Sequence, residues 1–530
     1  MVRYPVGIQT FSEVRKRNCL YVDKTQYVYE LANDLKYVFL SRPRRFGKSV
    51  LTSTFDSFFS GQKELFRGLA IEQLEKDWTE YPVLHFSLAT AKLGSVDDLN
   101  VQILIQLERH EKRYGIHTDI TNVSERFQKL ITSLFDETGK QVVVLIDEYD
   151  APLLTVLHDP QRLEPMRTAL QSFYSPLKDL DPYLRFVFIT GITKFSQLSI
   201  FSTINNLVNV SLDETFATIC GFTEDELRTT LWPDVERLAT HLKITPEQMH
   251  NRLKQQYDGY HFAAGAPEVY NPFSLLKCFL HRKLSNYWFA SGTPTFLIKQ
   301  MQHFNTDITS LDSLYVPESA FDQPTENMHD ALPLLYQSGY LTIKDYDPDT
   351  EAYLLSIPNQ EVRVGYIDGL LPTYTGLSSG DVQIGFAAKF WKALKQGDID
   401  LAMRHMQSYL AGIPYVEGFK QKLAEATARE GFYEYTFYLI FSMLNVYART
   451  QVKVAGGRVD MVIFMPDAIY VMELKVGDTA RHALDQIDAR GYAKPYLADG
   501  RRVVEVGVSF DAERLTVDDW LACTAQPPKH

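Results

Sequence analysis

Four short runs constrain this chain more than any other feature: residues 37–40 (YVFL), 82–88 (PVLHFSL), 141–146 (QVVVLI) and 185–190 (RFVFIT). They are apolar at nearly every position instead of every second one. Strands of that kind have both faces buried, as in a parallel sheet covered by helices on each side. Helical patterns lie between them, over residues 50–59 and, as an amphipathic stretch, over 101–109. This alternation predicts an α/β fold with right-handed crossovers.

The first run leads into Ser41-Arg-Pro-Arg-Arg-Phe-Gly-Lys-Ser49 and then into a helix. Strand, loop and helix are the setting that a phosphate loop, G-x-x-x-x-G-K-[ST], requires. Gly47, Lys48 and Ser49 match it, whereas Arg42 replaces the first glycine and Pro43 removes a backbone donor. Lys48 would reach the β- and γ-phosphates and the Ser49 hydroxyl would bind Mg²⁺. Amides beyond Gly47, at the helix N-terminus, would cradle phosphate oxygens. Arg44 and Arg45, beside Phe46, add charge to that loop or face solvent.

The third run ends in Asp147-Glu148. Asp147 would hold Mg²⁺ through water, and Glu148 would orient or deprotonate the attacking water. Thr190 closes the fourth run, where a polar sensor of the γ-phosphate could sit. Either fragment alone is more often a helix start or a solvated strand end. Both together, in order and in context, point to a nucleoside triphosphate.

A second constellation stands far downstream. Gly457-Arg-Val-Asp460 is followed by Glu473-Leu-Lys475, thirteen residues on from Asp460. Neighbouring strands over 459–464 and 468–472 would bring Asp460, Glu473 and Lys475 together at one sheet edge. The two carboxylates can hold Mg²⁺ or Mn²⁺ beside an attacking water, with Lys475 stabilising developing negative charge or helping to activate that water. Glu430 and Glu434, four residues apart on one helix face, are alternatives for completing the cation shell. Gln486, on a helix over 479–490, and Tyr492 could contact substrate or position water. The plain alternative is an edge of ordinary salt bridges; hairpin-like spacing and flanking helices favour phosphodiester chemistry.

Between these ends the pattern turns helical after Phe222, where Thr223-Glu-Asp-Glu226 has the form of a capping box. A helix ending near Gly339 and two strands, LTIKDY and AYLLSIP, suggest a winged-helix-like region. The expected organisation is a P-loop domain with helical extension over 1–270, the winged-helix-like region over 271–365, a helical linker over 366–428 and a second α/β domain over 429–530, opening with a helix over 430–447. Net charge is −12, so a whole-chain basic footprint for nucleic acid is absent. The 4 cysteines form no CxxC pair, which argues against zinc or a disulfide framework and fits a reducing cytoplasm. The first residues lack the apolar core of a secretory leader. No run approaches the ~20 apolar residues of a membrane span. Residues 376–380 (GLSSG) match G-x-S-x-G but follow no strand and read as a turn. His261 reads as part of an aromatic cluster, and Arg15-Lys16-Arg17 as a solvated patch.

At these residues the chain resembles a bacterial family that joins an AAA-ATPase-like N-terminal domain to a C-terminal PD-(D/E)xK nuclease-superfamily domain. The resemblance rests on Tyr21-Val-Asp-Lys-Thr25, the phosphate loop, Asp147-Glu-Tyr-Asp150 and Thr190-Gly-Ile-Thr-Lys-Phe-Ser196. Further matches are Cys220-Gly-Phe-Thr223, Tyr257-Asp-Gly-Tyr260, Tyr270-Asn-Pro-Phe-Ser274 and Tyr336-Gln-Ser-Gly-Tyr-Leu341. The last are Gly457-Arg-Val-Asp460, Glu473-Leu-Lys475 and Gln486-Ile487. Arg42 is typical of that family; Glu434 stands where relatives carry histidine, which makes Glu430 the better match for the metal side. The resemblance implies ATP binding, a restriction-endonuclease-like fold and a role in defence or mobile elements. Arginines acting in trans in related ATPases suggest a homo-oligomer. The expected function is an ATP-regulated, Mg²⁺- or Mn²⁺-dependent nuclease acting on DNA, with no membrane partner. The alternatives are a nucleotide-dependent switch or scaffold whose nuclease fold grips without cutting, and an ATPase that remodels nucleoprotein.

Overall fold

The computed structural model describes residues 2–89, 94–157, 159–194, 206–288, 314–323, 328–366, 392–411, 447–454, 457–465, 467–511 and 516–525, with a few isolated residues between them. It divides into two compact units. One comprises Met1–Ser291 and Ser313–Asn359, the other Gly292–Asp312 and Gln360–His530.

In the first unit, helices α1 (Phe11–Lys16) and α2 (Thr25–Asp34) precede β1 (Tyr37–Ser41) and α3 (Lys48–Phe59). Next come β2 (Val83–Ser87), α4 (Val96–Tyr114), α5 (Val123–Thr138), β3 (Val142–Asp147), α6 (Pro160–Tyr174), β4 (Leu184–Gly191) and β5 (Val208–Asn209). The five strands form one parallel sheet in the order β2-β3-β4-β1-β5. Its two faces explain the runs that are apolar throughout. Phe55 and Phe59 of α3 pack on Phe186 and Phe188 of β4, with ring centroids 4.9–5.2 Å apart for three of those pairs. Val187 and Ile189, on the opposite face, join Tyr37, Phe39, Val142, Val144 and Ile146 in a core with α4, α5 and α6. Each such fully buried side chain contributes about 1.5–3 kcal/mol.

The helical extension holds α7 (Trp232–Leu242), α8 (Pro246–Tyr257) and α9 (Pro272–His281), sharing a core that includes Leu231, Leu238, Leu253, Tyr270 and Phe279. Thr223 and Glu226 form the expected capping box. Then comes a three-stranded antiparallel sheet of β6 (Leu314–Pro317), β7 (Thr342–Asp347) and β8 (Ala352–Ser356), with β8 central and helix α10 (Leu332–Gln337) before β7. The helix and hairpin stand where the sequence places them; β6, short and half exposed, is an addition. The Arg15 guanidinium is not simply solvated: it donates to the carbonyls of Leu65 (2.7 Å) and Arg67 (2.6 Å).

The second unit carries α11 (Ile399–Ala411), β9 (Tyr447–Val454), β10 (Gly457–Phe464), β11 (Ala468–Val476), α12 (Ala480–Arg490), β12 (Arg502–Asp511) and β13 (Thr516–Thr524). Strands β9 to β13 form one mixed sheet in chain order, antiparallel except for the β11–β12 pair, which α12 connects as a crossover. The α/β fold class thus holds at both ends of the chain. Strands β9, β12 and β13 are additions to the strands the sequence predicts. Tyr447 opens a strand, so the helix read over 430–447 does not extend to that residue; the rest of it lies outside the described residues, as does the 376–380 turn.

Candidate functional site

The phosphate loop leaves β1 through a side chain that no phosphate loop needs. Arg42, 2% exposed, donates to the carbonyls of Ser211 (2.7 Å) and Phe216 (3.1 Å) and stacks on Phe262, 4.2 Å from the ring centroid. Burial lowers its pKa to about 10. Arg42 is therefore a brace between the loop and residues 211–217. Phe46 is equally buried, edge-on to Tyr260 and Phe262. Arg44 and Arg45 are exposed, and the Arg45 guanidinium lies 4.7 Å from the centroid of Phe273. Gly47 caps α3 at φ +95°, a conformation that favours glycine. Ser49, partly exposed, stands in the first turn of α3. Lys48 curls back, and its ammonium donates to the carbonyls of Arg42 (2.8 Å) and Pro43 (3.0 Å). Burial lowers its pKa; Asp147 and Asp150 partly counter this.

Asp147 ends β3, buried, and no donor among the described residues reaches its Oδ1. Glu148 follows at φ +53°, its carboxyl raised above the usual range by burial and then by Asp147. Thr190 lies at the same sheet end, but its hydroxyl donates to the Leu40 carbonyl (2.7 Å) and so ties β4 to β1. Asp150 has a structural role that no motif marks. Its Oδ2 accepts from the amides of Ile192 (3.0 Å) and Thr193 (2.7 Å) and from the Thr193 hydroxyl (2.6 Å). A carboxylate three residues beyond Asp147 and a T-G-I-T turn were the available signals. Gly191 makes room: a β-carbon there would lie 2.6 Å from both Asp150 Oδ1 and the Tyr149 ring.

In the second unit Asp460, Glu473 and Lys475 do come together, but not at a sheet edge. Strands β10 and β11 are interior, each paired on both sides. Their mutual ladder runs from Phe464↔Ile469 to Met461↔Met472 and stops. Beyond it, β10 pairs only with β9 and β11 only with β12. Asp460 spans this fork, its Oδ2 accepting from the Leu474 amide (2.8 Å). Glu473 is 2% exposed; its Oε1 accepts from Lys475 (3.0 Å) and from the Gln486 side chain, and no donor among the described residues reaches Oε2. Burial, then the Asp460 charge, pushes its carboxyl up to about 7. Gln486 reaches it because α12 packs close on β12. A β-carbon on Gly507, the register partner of Glu473, would sit 2.3 Å from the Ala480 carbonyl and 2.6 Å from the Leu484 amide. Tyr492 is buried near Gly457, where a β-carbon would lie 3.2 Å from the phenol oxygen.

Buried carboxylate oxygens with no donor among the described residues, Asp147 Oδ1 and Glu473 Oε2, suit a hard cation. Among the described residues no group of three or more His, Cys, Asp and Glu side chains has metal-binding placement. Glu430 and Glu434 lie outside the described residues. An open cleft of about 430 Å³, lined by Asn251, Lys254, Asp258, Glu268 and Lys344 among others, includes none of the residues named for either site. No described helix is long and apolar enough to cross a membrane.

Fold and sites define a P-loop-type nucleotide unit joined to a nuclease-like mixed sheet. Two family models agree: one described as a predicted AAA-ATPase matches residues 5–201, and one described as PD-(D/E)XK nuclease superfamily matches residues 428–520. A protein of Azotobacter chroococcum mcd 1, described as "Uncharacterized protein in vnfD 5'region", is 32% identical over 521 residues, covering 97% of this chain and 98% of its own length. The chain belongs to the family that joins an AAA-ATPase-like domain to a PD-(D/E)XK nuclease-superfamily domain.

Proposed function

We propose that this protein binds ATP and is an ATP-regulated, divalent-metal-dependent nuclease that cleaves DNA. The observation that carries the reading is the buried Glu473 oxygen at the β10–β11 fork, which no donor among the described residues reaches, beside Asp460 and Lys475. A buried carboxylate oxygen left so is costly unless a cation or a proton meets it. Asp460 and Glu473 would hold Mg²⁺ or Mn²⁺, which polarises the phosphodiester and acidifies water when bound. Lys475 would stabilise negative charge growing on the phosphate. Gln486 would keep Glu473 aimed, and Glu430 or Glu434 would complete the donor set. At the other site Lys48, Gly47 and Ser49 would hold the phosphates, with Arg44, Arg45 and Phe46 shaping the loop. Asp147 would serve the cation, Glu148 would act on water, and Thr190 would brace the sheet end. The four free cysteines support a cytoplasmic setting. Action as a homo-oligomer, in defence or mobile-element biology, is part of the same reading.

The test is cleavage of plasmid and single-stranded DNA with Mg²⁺ or Mn²⁺, with and without ATP, for wild type, Asp460→Asn, Glu473→Gln and Lys48→Ala. Metal-dependent cutting lost in the first two variants and altered by ATP only when Lys48 is present supports the proposal. Cutting that ignores Lys48→Ala removes the regulation. The second reading, a switch or scaffold that grips without cutting, draws on the phosphate loop, where Arg42 replaces the first glycine and Pro43 lacks an amide donor. Full biological effect from Asp460→Asn would establish it.

A further inference from the structure

Two routes leave the nucleotide end of the parallel sheet and meet just past one short helix. The first starts at the phosphate loop. Pro43 lies against Gly339, where φ is +86° and a β-carbon would sit 2.7 Å from Pro43 Cβ. The Arg44 carbonyl accepts from the Trp288 indole N–H (3.1 Å), and the Trp288 ring packs on Tyr340 with centroids 5.1 Å apart. The second route starts at the carboxylate turn after β3. Asp150 grips the amides of Ile192 and Thr193, and the Tyr149 hydroxyl donates to the Thr193 carbonyl (2.9 Å). The next residue, Lys194, leaves toward α10. Its amide donates to Gln337 Oε1 (2.7 Å) and its ammonium pairs with Asp322. Gln337 is the last residue of α10 and 5% exposed; it donates in turn to the carbonyls of Gln323 (2.9 Å) and Phe321 (3.4 Å).

Phosphate loop and carboxylate turn are the two parts of such a site that respond to the γ-phosphate and its cation. Here both lean on residues 337–340. A buried glutamine bonded to three backbone groups on two segments cannot shift alone, because each bond it breaks leaves a buried polar group unpaired. It must hold its partners or move with them.

We propose that Gln337 is a positioning residue of the nucleotide site, keeping the carboxylate turn in register with the phosphate loop and passing nucleotide binding on to residues 332–341. The proposal rests on the ATP-binding reading. It deepens that reading by naming the side chain through which the site is felt elsewhere.

The experiment uses the full chain, with ADP and a non-hydrolysable ATP analogue in Mg²⁺. Affinity is measured by calorimetry, and hydrogen exchange is followed in peptides covering 332–341. In wild type, nucleotide should slow exchange there by about tenfold. Gln337→Leu should bind nucleotide about tenfold more weakly and, even when saturated, lose that protection. Gln337→Glu, which keeps an acceptor for the Lys194 amide but loses the bonds donated to Gln323 and Phe321, should retain part of it. Gly339→Ala tests the loop route without touching Gln337, and by displacing Pro43 it should weaken nucleotide binding about tenfold, ~1.4 kcal/mol. It also keeps the test open should Gln337→Leu fail to fold. Bound nucleotide with no change in exchange over 332–341 would overturn the proposal. So would full protection in Gln337→Leu, or unchanged affinity in Gly339→Ala. A wild-type protein that binds neither nucleotide overturns the ATP-binding reading itself, a result the calorimetry separates from the others.

Discussion

The Lys48 ammonium is held by two carbonyls of its own loop, so phosphate oxygens would replace neutral acceptors with charged ones. Lys48→Ala is expected to weaken nucleotide binding at least tenfold, ~1.4 kcal/mol, by calorimetry. Asp147→Asn should behave differently. It removes a buried charge whose Oδ1 meets no described donor, so the nucleotide-free protein should melt no lower than wild type while Mg²⁺-dependent nucleotide affinity falls. Glu473 sets a pH dependence. Its folded pKa, about 7, lies above the ordinary value of 4.5, so the folded state binds the extra proton between those limits. The stability this contributes is full below about pH 4.5 and is lost as pH rises through 7. Without divalent cation, thermal stability should fall across that window in wild type and less in Glu473→Gln. Mg²⁺ affinity should rise across it and level off above about 7. Coincident wild-type and Glu473→Gln profiles would refute this assignment. Lys48, Asp147, Asp460 and Glu473 were legible because motif and strand context coincide. Arg42 was not: its anchors, Ser211 and Phe216, are about 170 residues away in sequence.

Strands β1 to β4 could be read from sequence because helices cover both faces, which forces apolar residues at every position. Their order could not, since β1 joins β4 through pairing that no local pattern encodes. Strand β5 is two residues long and offers no period. The register of Asp460 against Glu473 was visible as hairpin spacing. The fork was not, because it depends on where the ladder stops. Two substitutions probe elements away from reacting atoms. Thr223→Ala removes the hydroxyl half of a capping box, leaving the residue 223 amide bonded to Glu226, and should cost about 1 kcal/mol in denaturant unfolding with nucleotide affinity unchanged. Gly507→Ala should push α12 off β12 and withdraw Gln486 from Glu473. Loss of cleavage with the fold retained, by circular dichroism, is the expected result; full cleavage would mean that α12 need not sit so close.

Across the whole molecule the compact units do not follow chain order, because residues 313–359 return to the first unit while 292–312 join the second. Linear boundaries drawn on composition cannot register such a crossing. The two units imply separable ligand responses. A ligand that binds only the folded form stabilises it by RT ln(1 + [L]/Kd), about 2.7 kcal/mol at 100 times Kd. Calorimetry should resolve two unfolding steps, with Mg²⁺–ADP raising one, and Mg²⁺ or Mn²⁺ alone raising the other through Glu473. A single step raised equally by both ligands would show that the units unfold as one.

The fork between β10 and β11 also bears on how relatives should be judged. Asp460 closes a backbone joint, accepting the Leu474 amide that no β10 carbonyl reaches, whereas Glu473 Oε2 has no such duty. A descendant that gave up cutting would still gain from a carboxylate or carboxamide at 460 simply to stay folded. It would gain less from a buried carboxylate at 473, where a neutral acceptor could still meet Lys475 and Gln486 through one oxygen without the unmatched Oε2. Of the two acids, the glutamate is therefore the better witness to whether a member of this lineage still does chemistry.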